Sequence, residues 1–138
     1  MKKIPSIMIV VWGIAVLCTL FLSSCKRPEV LDNSTLVNSA RNVALTFGPA
    51  YVPFFKEANV SDVQVFQKED YGDSFPEIKK QIGRKYYTVT FTYDSTAVKF
   101  DFGFAARVRI WKNTGEPLDV IFGNGWGRNF LFKTRWRN

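Results

Sequence analysis

The chain has no histidine and only two cysteines among its 138 residues. Without histidine it lacks the commonest general base, the commonest metal ligand and the usual partner of a nucleophilic Ser or Cys. Carboxylates and carbonyls are then the main metal donors, and their spacing fits no calcium loop. "FGNGWGRN" resembles a glycine-rich phosphate loop only in composition: Gly123, Gly125 and Gly127 alternate, no helix pattern follows, and the lysine of such a loop is missing. No spacing supports a Ser–Lys nucleophile. Of the carboxylates at Asp94, Asp101, Glu116 and Asp119, Asp101 reads as a surface partner of Lys99 and Arg107 rather than an acid catalyst. These absences predict no catalytic residue, metal or cofactor. The chain also has no internal repeat and no low-complexity segment.

What is present suits one domain with a good core: 46% hydrophobic and 16% aromatic residues, 13 of them Phe. The +7 formal charge is unevenly placed. Residues 26–98 hold nine Lys/Arg against nine Asp/Glu, and residues 99–138 hold eight against three. The basic bias of the last forty residues fits an acidic partner, anionic headgroups or simply a solvated surface.

The first 25 residues are "MKKIPSIMIVVWGIAVLCTLFLSSC". Lys2 and Lys3 precede an uncharged apolar run, Ile7 to Leu22, followed by Ser23, Ser24 and Cys25. That is the layout of a secretory signal peptide. Leu22-Ser23-Ser24-Cys25 resembles the lipobox of bacterial lipoproteins, and the resemblance implies a cysteine modified with lipid and cleavage just before it. The expected organisation is residues 1–24 as a removed signal peptide, 25–32 as lipidated Cys25 and tether, and 33–138 as a single domain. Cys18 would leave with the signal peptide, so neither a disulfide nor a free thiol is expected. The apolar run is short beside the ~20 residues of a membrane span, which disfavours an uncleaved anchor. Lys26 rather than Asp after the cysteine implies the outer membrane. The absence of an acidic run in "KRPEV" favours the periplasmic side over surface exposure, with the inner membrane as a further possibility.

In "DNSTLVNSARNVALTF", Leu36, Val37, Ala40, Val43, Ala44 and Phe47 share one helical face. Asn33 or Ser34 is the expected cap and Gly48-Pro49 the stop. "AYVPFFKEA" suggests a short second helix. "NVSDVQVFQ" reads as a strand with Val63 and Val65 alternating. "EDYGDS" reads as a turn, and "PEIKKQIG" as a short helix opened by Pro76 and closed by Gly83.

Period-2 alternation dominates residues 86–122. Tyr87, Val89, Phe91 and Tyr93 share one face, and Tyr86, Thr88, Thr90 and Thr92 the other. A long strand from Val98 to Ile110 puts Phe100, Phe102, Phe104, Ala106 and Val108 on its apolar face. Arg107 and Arg109 fall opposite them. A "DSTA" turn pairs Tyr93 with Val98, Phe91 with Phe100, Val89 with Phe102 and Tyr87 with Phe104. Bends are expected at Gly103 and Ala105-Ala106. The loop Asn113-Thr114-Gly115 then sets Lys112 opposite Glu116, Ile110 opposite Leu118, Val108 opposite Val120 and Ala106 opposite Phe122. Asn124-Gly125 reads as a two-residue hairpin turn into a last strand from Trp126 to about Lys133. The predicted class is α+β: one or two N-terminal helices packed on a bent antiparallel sheet of four to five strands in meander order. In element order this is similar to the nuclear transport factor 2-like cone fold, and secondly to a cystatin-like sheet wrapped on a helix. These resemblances imply a fold and no activity.

The tail "WGRNFLFKTRWRN" interleaves aromatic and basic residues. With the strand arginines it yields the candidate binding residues Arg107, Arg109, Trp126, Arg128, Arg135, Trp136 and Arg137. Its plainer reading is an edge strand whose charges block sheet-to-sheet pairing. The aromatic sheet face is expected to be core, and lines a pocket only if the helices cover it incompletely. The expected function is a small envelope lipoprotein with a non-catalytic binding domain. Its partners are the membrane, through Cys25, and an envelope protein, with nucleic acid excluded by location. One alternative is an immunity or inhibitor lipoprotein against an envelope toxin or hydrolase. Another is a small-molecule-binding or enzymatic cone-fold domain.

Overall fold

The computed structural model describes residues 31–70 and 75–132. The expectations for the signal peptide, Cys25 and most of the tether, for Arg135, Trp136 and Arg137, and for most of the "EDYGDS" turn lie outside the described residues. Among the described residues no helix is long and apolar enough to cross a membrane.

Helix α1 spans Asn33–Phe47. Its cap is Asp32, one residue before the expected Asn33 or Ser34. The Asp32 carboxylate accepts the Thr35 N–H at 2.7 Å, satisfying one of the helix's four unpaired N-terminal amides. Leu36, Ala40 and Ala44 form the buried stripe at helical spacing, flanked by Val37, Val43 and Phe47. Gly48 stops the helix as expected, its N–H donating to the Ala44 carbonyl at 2.8 Å. The second helix is a 3-10 helix, Pro49–Phe54.

Six strands follow: β1 (Ala58–Val60), β2 (Gln64–Val65), β3 (Lys85–Phe91), β4 (Ala106–Trp111), β5 (Pro117–Phe122) and β6 (Gly127–Asn129). A short helix α2, Pro76–Lys79, lies between β2 and β3. All pairs are antiparallel, in the order β1-β3-β4-β5-β6, with β2 sharing the β3 edge with β1. The α+β class with a meander-like antiparallel sheet is therefore present, with six strands rather than four or five.

The sixth strand comes from a break in the expected "NVSDVQVFQ" strand. Val60 pairs with Val89 and Gln64 with Tyr86, so three residues, 61–63, fill the space of two on β3. This is a bulge, and it flips the strand's faces. Ser61 seals it: its N–H donates to the Thr88 carbonyl at 2.9 Å and its Oγ accepts the Thr88 N–H at 3.0 Å. Ala58 and Val60 face the helix side, whereas Phe66 ends up fully buried on the other side. Val63 and Val65, read as the alternating apolar residues of this strand, are exposed.

The β3–β4 register differs from expectation. Tyr87 pairs with Ile110, Val89 with Val108 and Phe91 with Ala106, six residues farther along than read from the sequence. An even slip preserves every inside-to-inside match, so alternation cannot detect it. The segment 98–105, expected as strand, is irregular. Asp94 shapes the turn that launches it, accepting the Thr96 N–H at 2.9 Å and hydroxyl at 2.6 Å. Phe102 N–H then donates to the Gly123 carbonyl and Gly123 N–H to the Ala105 carbonyl, both at 2.9 Å. These bonds fold the segment against the β5–β6 turn. Gly123 permits the approach: a Cβ there would meet the Phe100 ring and the Phe104 carbonyl at 2.6 Å.

In the β4–β5 hairpin, Val108 pairs with Val120 and Ala106 with Phe122 as expected, and Gly115 is left-handed (φ +72°). Ile110 pairs with Pro117 instead of Leu118, because the register shifts beside Arg109. Lys112 and Glu116 are both exposed and make no ion pair among the described residues. The last hairpin has a three-residue loop, Gly123-Asn124-Gly125, with Gly125 alone at positive φ (+84°), in place of the expected two-residue turn. Strand β6 is shorter than expected.

The helix side of the sheet is sealed. Leu36, Ala40 and Ala44 pack on Val89, Phe91, Ala106, Val108, Ile110, Val120 and Phe122, none more than 1% exposed. A second cluster, Phe66, Ile78, Tyr86, Trp111 and Leu118, fills one end of the opposite side beneath α2. Arg84 stacks over Trp111 at 3.9 Å and covers its edge.

Candidate functional site

The alternation that buries Val89, Phe91, Val108 and Val120 must turn the intervening residues to the other side. There they form two polar rows across the strands. One runs Asn59, Thr90, Arg107, Ile121 and Gly127. The second runs Thr88, Arg109, Asp119 and Asn129. A third, Gln64, Tyr86 and Trp111, ends in the second cluster. Between the rows lies an open groove of about 530 Å³ lined by Ser61, Gln64, Thr88, Thr90, Arg107 and Arg109, with Tyr86 and Ile121.

Arg109 and Asp119 hold the floor. The guanidinium donates through Nε at 3.0 and 3.1 Å and through its terminal nitrogen at 2.5 Å. Asp119 is 3% exposed, so its charge is matched where water is excluded. Arg109 also lies 5.3 Å from the Tyr86 ring centroid. The hairpin register read from the sequence already sets these two residues opposite each other. Their burial was not legible, because it depends on Tyr86 and its cluster occupying that side.

Arg107 is exposed, and its guanidinium sits 4.9 Å from the Phe104 ring centroid. Phe104 in turn stacks on Phe102, centroids 5.4 Å apart and planes 15° apart. The anticipated partner of Arg107, Asp101, is exposed and makes no ion pair among the described residues. Thr88 donates its hydroxyl to Gln64 Oε1 at 2.6 Å, and Ser61 donates its hydroxyl to the Asp62 carbonyl at 2.8 Å.

The structure divides the candidate binding residues. Arg107 and Arg109 meet in the groove. Trp126 and Arg128 lie on the helix side, Trp126 stacked on core residue Phe122 at 5.4 Å and Arg128 over Phe47 at 4.8 Å. They close the core rim and do not line the groove with Arg107. Sequence reasoning missed Ser61, Gln64, Thr88 and Thr90 as groove residues. The threonines were on the correct face, but Ser61 and Gln64 enter through the bulge.

Asp32 and Asp94 have carboxyls held below the usual range, by the Thr35 hydroxyl and amide and by the Thr96 hydroxyl and amide respectively. Both are turn and cap groups remote from any reaction geometry. Among the described residues no three metal-binding side chains converge. The groove can donate hydrogen bonds and present charge.

No protein-family model matches the chain, and no curated protein or solved structure matches it. The similarities to the cone and cystatin-like folds remain likenesses of element order.

Proposed function

We propose that this is the binding domain of a lipid-anchored envelope protein, acting without catalysis through the open side of its sheet. The observation that carries the reading is the asymmetry of the two sides. The helix side is filled by apolar side chains, whereas the opposite side leaves a polar, cationic groove between Ser61 and Ile121. A substrate pocket beneath the helices, which the cone-fold alternative calls for, would need space that Leu36, Ala40, Phe91 and Phe122 occupy.

The anchoring half of the proposal rests on Leu22-Ser23-Ser24-Cys25.

The test is a pull-down from crosslinked envelopes. The wild type recovers a specific partner, Thr88→Glu on the open side loses it, and Asn38→Glu on the exposed surface of α1 keeps it. Recovery unaffected by Thr88→Glu contradicts the proposed side. The immunity or inhibitor version adds a further expectation, that deleting the protein sensitises cells to an envelope toxin.

A further inference from the structure

The hydrogen bonds inside the groove define its ligand chemistry. Ser61 Oγ accepts from Thr88 N–H and donates to the Asp62 carbonyl, and Gln64 Oε1 accepts from the Thr88 hydroxyl. The Gln64 amide nitrogen is left to donate. Among the described residues, neither the Arg107 guanidinium nor the Thr90 hydroxyl has a hydrogen-bond or ion-pair partner. The one carboxylate on the floor, Asp119, is matched by Arg109. The groove therefore presents unused donors and one uncompensated positive charge, which complement an acceptor of negative charge.

Arg107 is prepared for such a contact. Phe104 covers one face of its guanidinium, which restrains it and leaves the N–H edge free for a bidentate acceptor. Through Phe104 it adjoins Phe102, which is 45% exposed and stacked in place. A restrained arginine beside an exposed aromatic is the composition of a protein–protein hot spot. The groove is open along the sheet rather than enclosing, which suits a chain segment better than a small molecule that must be mostly buried. The chain's own residues 133–138, "KTRWRN", carry three cationic and no acidic side chains, the wrong sign for this site.

The geometry points to the outer-face groove as the docking site for an acidic segment of a partner protein, with a Glu or Asp carboxylate on Arg107 and an adjacent apolar side chain on Phe102. This deepens the binding function proposed above and rests on it.

A photo-crosslinking residue placed at Thr90 in the full chain tests it in cells that produce the protein, with adducts mapped by mass spectrometry. The expected adduct is a protein segment rich in Asp and Glu. Its yield falls at least tenfold with Arg107→Glu and severalfold with Phe102→Ala. Lys112→Glu, the same charge change at the β4–β5 turn, leaves the yield within twofold. Thermal melting of each variant confirms that folding is retained. A basic or neutral partner segment, an adduct with residues 133–138 or with lipid, or equal loss in Arg107→Glu and Lys112→Glu overturns the assignment. So does the absence of any adduct. Lipid labelling of the same protein reports anchoring separately, and a partner captured through another surface would leave the binding function standing while removing the groove.

Discussion

At the residue scale, three residues act where the sequence shows only their type. Asp94 was a candidate carboxylate in a list of four, and it proves to be the acceptor that shapes the turn before residues 98–105. Hydrogen bonds from Thr96 hold its carboxyl below the usual range, so the ionised form is favoured in the fold. A lowered folded value means the stabilisation is complete above the unfolded carboxyl value of about 3.9 and is lost as pH falls through the folded one. The melting difference between wild type and Asp94→Ala is therefore at its full width above the unfolded carboxyl value and narrows as the pH falls through the folded one. Asp119 pairs with Arg109 where almost no water reaches. Asp119→Leu strands the guanidinium and costs about 3 kcal/mol, read by denaturant unfolding. Gly123→Ala forces a methyl into the Phe100 ring and the Phe104 carbonyl, and costs about 1–3 kcal/mol by the same measurement.

At the element scale, helix α1 was legible almost to the residue, because its apolar stripe and its Gly48 stop are local signals. The inside and outside of β3 and β4 were legible too, because the period of two survives any even slip, whereas the bulge turned Val63 and Val65 outward and the shift beside Arg109 put Leu118 in the second cluster. Register was not. Nothing local distinguishes pairing Phe91 with Phe100 from pairing it with Ala106, and the choice is made by the Asp94 turn and the Gly123 contacts. The bulge at Ser61–Val63 was hidden for the same reason: its one extra residue is visible only against β3. The groove inherits this division. Thr88, Thr90, Arg107 and Arg109 could be placed on one face from the sequence, whereas Ser61 and Gln64 could not. A pair of substitutions checks the register. Phe91→Ala costs about 3–5 kcal/mol, because Phe91 is fully buried and stacked on Phe55 at 4.2 Å. Phe102→Ala costs under about 1 kcal/mol, because that ring is nearly half exposed. In the alternative register both would be core residues, with similar costs.

At the scale of the whole molecule, the domain has one side sealed by apolar packing and one open side. The sealed side supplies stability through the α1 stripe and the strands beneath it. The open side carries charge and hydrogen-bond donors that the core does not need. In the proposed function a lipid on Cys25 confines this surface to a membrane, which raises its effective concentration for partners held there. The most direct measurement of that central claim is incorporation of labelled palmitate in cells, comparing the full chain with Cys25→Ala. The predicted result is label on the wild type and none on the variant. Equal labelling of the two chains would contradict it.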